Sequence, residues 1–301
     1  MLDPLPDQGY NPPMGAVRDS LLAETDWLAA HVDDPAVRIV DIRGTIKPPT
    51  APRPWYAASR EAYEAAHIPG AVFVDWLQDI VDVSAPVKMT VAQADQFAAL
   101  MGRLGVGDEH TVIAYDDNGH IAPRLWWALN YYGHPAVRVL DGGWTKWVAE
   151  GRPVTAAVPR HPPARFTARV RPEWRAAADE VRARLEDPAT VVVDCRSPVE
   201  YRGEIGRGDR AVGRIPGSVN LSVGRLMEGE HKVWRREPEL RALFEEAGIT
   251  PDRDVITYCN AGVSASIGLF GAKLLGYPRA RNFAGSWYEW EQDPRNPVQT
   301  G

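Results

Sequence analysis

Short apolar runs rich in β-branched residues punctuate the chain, and they come in pairs. VRIVDIR at 37–43 and TVVVDCR at 190–196 each read as a buried strand closing on Asp-x-Arg. AAHIPGAVFVD at 65–75 is answered by VGRIPGSVNLS at 212–222, and TVIAYDD at 111–117 by DVITYCN at 254–260. A fourth pair, VLDGGWTKW at 139–147 and NFAGSWYEW at 282–290, completes the series. Asp116 stands 143 residues before Cys259, and Trp144 and Trp147 stand the same 143 residues before Trp287 and Trp290. The pairs are therefore copies of one plan, with no net insertion between the last two landmarks.

Between the strands the apolar spacing becomes helical. Residues 90–104 and 237–248 are amphipathic segments closed by glycine, and further helices are expected near 122–133 and 264–276. Alternating strands and helices predict an α/β chain of two domains, each a mostly parallel sheet flanked by helices. The stretch 151–172 has five prolines and no sustained period, so it reads as a linker between domains at 20–150 and 173–301. Residues 1–19 begin with a run of prolines and glycines and read as a loose or docked extension rather than a folded element. A length of 301 residues suits this division, because a single core rarely grows past ~250–300 residues.

Composition narrows the function. A net charge of −6 offers no basic surface for nucleic acid. No apolar run reaches the ~18–20 residues of a membrane span, so no membrane partner is expected. The opening residues lack the basic and apolar regions of a secretion signal, and a cytoplasmic location is expected. The two cysteines, Cys195 and Cys259, are too few for a disulfide framework or a structural zinc site, and no metal is expected. Cys195 follows an apolar run between Asp194 and Arg196 and reads as core.

Cys259 is placed differently. It ends the run VITY and precedes Asn260-Ala261-Gly262-Val263, from which a helix starts near Ser264. The N–H groups of such a loop, with a helix N-terminus behind them, form a concavity that stabilises an anionic sulfur. The small residues Ala261 and Gly262 would let the backbone approach a second sulfur closely. No histidine follows His231, so the loop itself would have to activate the nucleophile.

Several of these motifs in fixed order resemble the tandem rhodanese family of thiosulfate and 3-mercaptopyruvate sulfurtransferases over roughly residues 20–296. They are Asp-x-Arg after the first strand, the Ile-Pro-Gly turn, the loop C-N-A-G-V-S-A and the terminal Gly-Ser-Trp-x-x-Trp. The resemblance implies two rhodanese-like domains, a persulfide on Cys259 held by Asn260, Ala261, Gly262, Val263 and Ser264, and no metal or organic cofactor. It implies a small anionic sulfur donor, thiosulfate ahead of 3-mercaptopyruvate, and cyanide or a thiol as acceptor. Asp116 cannot accept a sulfane sulfur, so the first domain is expected to be silent and to cover one side of a cleft. Arg207 falls where the mercaptopyruvate enzymes hold a carboxylate; Lys232 and Arg235 are further candidate cations, and Trp287 is expected at the cleft rim.

Three positions depart from the family pattern: Glu200 stands where an arginine is usual, Arg214 replaces the histidine before Ile-Pro-Gly, and C-N-A-G lacks an Arg-Lys pair. A phosphatase of the C-x5-R type does not fit, because the sixth residue after Cys259 is Ala265 and no arginine precedes Arg279. The alternative left open is a persulfide carrier or regulatory binding module that does not turn over.

Overall fold

The computed structural model describes residues 14–300. The first half contains the strands Leu22–Ala23 (β1), Val37–Asp41 (β2), Gly44–Ile46 (β3), Tyr56–Ala58 (β4), Val72–Phe73 (β5), Thr111–Tyr115 (β6) and Val137–Leu140 (β7). Five of them form a parallel sheet in the order β1-β7-β6-β2-β5, while β3 and β4 pair as a separate antiparallel ribbon. The second half has Thr190–Asp194 (β8), Val219–Asn220 (β9), Met227–Glu228 (β10), Val233–Trp234 (β11), Asp254–Tyr258 (β12) and Ala280–Asn282 (β13). Here the parallel sheet runs β13-β12-β8-β9, and β10 pairs with β11 as a ribbon. The central strands β2, β6, β8 and β12 are buried almost throughout, as expected of parallel strands covered on both faces.

Helices cover the sheets: Met14–Leu21 (α1), Thr25–His31 (α2), Arg60–Ala65 (α3), Ala94–Arg103 (α4), Ala122–Tyr131 (α5) and Gly143–Ala149 (α6) in the first half. The second half has Ala178–Ala183 (α7), Pro198–Tyr201 (α8), Glu237–Glu246 (α9), Val263–Leu274 (α10) and Ser286–Trp290 (α11). Residues 156–171 form neither helix nor strand. The expected extension needs one correction: residues 14–19 belong to α1, because Arg18 is tied down by both halves, whereas residues 1–13 lie outside the described residues. The Arg18 guanidinium donates to the Asp141 carboxylate at 2.7 Å and to the Trp234 and Arg235 carbonyls, each at 3.1 Å.

The repeat seen in the sequence is a repeat of contacts. Tyr115 Oη donates to Asp41 at 2.6 Å, and Tyr258 Oη donates to Asp194 at 2.6 Å. Arg43 pairs with Asp41 and lies over the Trp144 ring at 4.2 Å; Arg196 pairs with Asp194 and lies over the Trp287 ring at 4.9 Å. These carboxylate–guanidinium pairs brace the strand ends in both halves. The halves share one continuous core in which α5 packs on α10, with Trp126 edge-on to Phe270 at 4.8 Å.

Candidate active site

Cys259 follows β12 directly, and its neighbours are pinned from several sides. The Cys259 N–H donates to Ser286 Oγ at 3.0 Å, and that hydroxyl donates onward to the Phe283 carbonyl. The Cys259 and Asn260 carbonyls accept from the backbone N–H groups of Trp287 and Tyr288, each at 3.0 Å. Gly262 turns the loop with φ 76°, and a Cβ there would fall 2.4 Å from the Ala284 carbonyl, so the turn requires glycine. The Gly262 carbonyl accepts from Ser266 Oγ at 2.8 Å and Asn282 Nδ2 at 3.1 Å. From this braced turn α10 begins at Val263, leaving its first N–H groups facing the loop.

A cleft of about 330 Å³ opens over Cys259, itself only 3% exposed. The second half lines it with Arg207, Cys259, Asn260, Ala261, Val263 and Ser264. The opposite wall comes wholly from the first half: Ile46 and Tyr56 of the β3–β4 ribbon, Trp76 and Met89. Arg207 is the single charged side chain in this lining, which it shares with Cys259. Its guanidinium crosses between halves, donating to the Lys47 carbonyl at 3.0 Å and lying 5.2 Å from the Tyr56 ring centre.

Glu200, the departure from the family pattern, sits behind this cation. Its carboxylate lies 3.6 Å from Arg207 Nε and accepts from Asn260 Nδ2 at 2.9 Å and Ser197 Oγ at 2.6 Å. Burial opposes its ionisation, yet the hydrogen bonds from Ser197 and Asn260 and the charges of Arg207 and Arg196 outweigh burial and hold the carboxyl below its ordinary range. One carboxylate therefore offsets the cleft's cation and orients the residue next to Cys259.

Other candidates from the sequence are placed elsewhere. Trp287 is 1% exposed, with its indole N–H on the Ala211 carbonyl and its ring against Arg196; it is core rather than rim, and serves the loop through its backbone N–H alone. Lys232 and Arg235 do not line the cleft. Lys232 lies against the first half's loop, its carbonyl 4.0 Å from where a Gly119 Cβ would be. Arg235 is held on the outside by Glu228 at 2.6 Å and the Arg225 carbonyl at 2.8 Å. Cys195 is buried beside Gly268, and burial pushes its thiol well above the ordinary range. Ser286 and Asn282 went unrecognised in the sequence although both fall in or beside the repeated tryptophan motif, and the apolar wall lies in segments that carry no motif.

The first half repeats the loop with different contents. The Asp116 carboxylate accepts from the backbone N–H groups of Asn118 at 2.9 Å and Ala122 at 2.7 Å, and from those of Gly119 and Ile121. At the shared spacing of 143 residues, those four positions correspond to Ala261, Gly262, Ser264 and Ala265. Across from this loop stand Met227, Lys232 and Trp234 of the second half.

The fold and these paired loops define a tandem α/β protein with one cysteine loop and one carboxylate loop. The rhodanese-like domain model matches residues 24–150 and again 177–293, and the chain belongs to the rhodanese family as a tandem of two such domains. It is 36% identical to the sulfur carrier protein TtuD of Thermus thermophilus, over 96% of this chain and 99% of that one. It is 34% identical to a thiosulfate sulfurtransferase of Azotobacter vinelandii, over 93% of this chain and 97% of that one. Among solved structures, the 3-mercaptopyruvate sulfotransferase SseA of Escherichia coli superposes with a TM-score of 0.77 at 28% identity, over 89% of this chain and 99% of that one. Sulfur transfer is the activity class these relatives support. Among the described residues, no helix is long and apolar enough to cross a membrane.

Proposed function

We propose that Cys259 carries sulfur as a persulfide between an anionic donor and a thiophilic acceptor. The observation that carries this reading is the first half's loop, in which four backbone N–H groups close on the two oxygens of Asp116. The same backbone plan around Cys259 offers its N–H groups to two sulfurs: Sγ takes the place of the carboxylate carbon, and the terminal persulfide sulfur the place of an oxygen. By the shared spacing those N–H groups are supplied by Ala261, Gly262, Ser264 and Ala265, with Asn260 and Val263 completing the loop.

In the first step the Cys259 thiolate attacks the outer sulfur of thiosulfate; the S–S bond breaks and sulfite leaves with its electron pair. With 3-mercaptopyruvate the C–S bond breaks instead, and the pyruvate enolate takes the electron pair and then a proton. In the second step cyanide or a thiolate attacks the terminal sulfur and releases Cys259 as thiolate. Arg207, the one charged residue lining the cleft, suits a donor presenting one anionic group to it, whether sulfonate or carboxylate.

Mass spectrometry after treatment with either donor should show about 32 Da added at Cys259, one sulfur on the nucleophile; no gain with both donors would sink the reading. Comparing kcat/KM for thiosulfate and 3-mercaptopyruvate then assigns the donor, because the ratio reports differential transition-state binding. The 36% identity to a sulfur carrier favours a second reading, a relay handing the persulfide to a partner protein. An adduct that forms once but does not turn over with cyanide or small thiols would select it.

A further inference from the structure

Four arginines are buried among the described residues, and three of them face a carboxylate. Arg43 meets Asp41 at 2.9 Å, Arg196 meets Asp194 at 2.6 Å and Arg207 meets Glu200 at 3.6 Å. Arg124, on α5 of the first half, meets none. It is 1% exposed, donates to the Met89 carbonyl at 2.8 Å, reaches the Gly262 carbonyl at 3.5 Å and lies 4.5 Å from the Trp127 ring centre. Its Nε has no hydrogen-bond partner.

Burying a cation without an anion is among the most costly arrangements in a folded chain, and replacing it by an apolar side chain is often stabilising. Arg124 therefore needs an anion that its hydrogen bonds do not provide. Burial pushes the guanidinium down to about 10, an anionic Cys259 opposes the fall and Arg175 adds to it, so the group stays charged at neutral pH. Two nearby groups could become anionic, Cys259 and Tyr132, and burial pushes Tyr132 up to about 12, which leaves it neutral. The carbonyl of Gly262 places the cation on the turn from which α10 starts.

We propose that Arg124, contributed by the half that lacks a cysteine, is the charge partner of the anionic sulfur on Cys259. It acts through the loop and the field across the domain interface, as a positioning residue. The inference rests on Cys259 being the nucleophile and does not depend on which donor is used. Other groups facing Cys259 leave this role open: Arg207 and Glu200 offset each other, and burial pushes Tyr56 across the cleft, Tyr288 on α11 and Cys195 after β8 toward their neutral forms.

The test is the rate at which iodoacetamide alkylates Cys259 as a function of pH, read by peptide mass in wild type, Arg124→Met and Arg124→Lys. Removing the charge should slow alkylation of the Met variant at pH 7 about tenfold, whereas the Lys variant stays within about twofold of wild type. An unchanged or raised Tm in Arg124→Met, with slowed alkylation, separates this role from a structural one. Superimposable profiles for wild type and the Met variant would overturn it. If the variants do not fold, wild type alone decides: protein carboxymethylated at Cys259 should melt above protein carbamidomethylated there, and an equal or lower Tm overturns the proposal. Alkylation needs no sulfur donor. Normal alkylation with no 32 Da adduct would therefore sink the persulfide reading and leave Arg124 untouched.

Discussion

The loop after β6 and the loop after β12 share a backbone plan and differ in what fills it. In the first, the Asp116 carboxylate takes four N–H groups from its own loop; in the second, Cys259 stands at the position that matches Asp116. Under the proposed function, the first loop is closed by the protein's own carboxylate and the second is left for an anionic sulfur. On that reading the residue at the strand end, and not the backbone around it, separates the two halves.

The strongest way to break this comparison is at the strand ends. Cys259→Ser should lower sulfur transfer by about a thousandfold or more and abolish the 32 Da adduct, while Asp116→Ser, corrected for folded protein, should leave kcat/KM within about threefold. Equal losses would show that the halves do not divide their roles. Stability should show the reverse asymmetry. Asp116→Asn places an amide N–H₂ group against loop donors and should cost about 2–4 kcal/mol in urea denaturation, the range for disrupting a buried charged hydrogen-bond network. Cys259→Ser should cost less than about 1 kcal/mol by the same measurement.

Glu200 sharpens the comparison within the cysteine-bearing half. Glu200→Gln frees the Arg207 charge, so kcat/KM for thiosulfate, a dianion, should rise relative to 3-mercaptopyruvate by about fivefold, close to 1 kcal/mol. An unchanged ratio would show that the 3.6 Å pair does not govern donor choice. The smallest effect is expected in the carboxylate loop. Burial and the neighbouring Asp116 push Asp117 from 3.8 up to about 6, so the folded state holds this proton more tightly than the unfolded chain. That contribution is full below pH 3.8 and is lost as pH rises to about 6. Asp117→Asn should therefore raise Tm by about 1–3 °C at pH 7.5 and change it less at pH 4.5, as calorimetry would record.

Much of this was legible in the sequence because it is local. The paired strands and the interposed helices follow from apolar spacing, and the turn after β12 follows from a strand meeting a glycine and a helix. Arg207 was legible through a motif spacing. Lys232 and Arg235 were not, for a geometric reason. Each half's loop faces a segment of the other half, so Lys232, although in the cysteine-bearing half, comes to lie against the loop of Asp116. Arg124 was missed for the same reason: its role depends on α5 packing on α10, a contact between residues 138 positions apart in the case of Gly262. Trp287 was assigned to the rim because its motif begins a loop, but an indole that stacks on Arg196 is committed to the interior.

The α1 clasp joins the two halves away from the residues that line the cleft. Arg18 holds Asp141 of one half and two carbonyls of the other, while Asp141 also accepts the Trp234 N–H at 2.8 Å. A hinge motion that parted the halves on this side would have to break the hydrogen bonds that cross between them together.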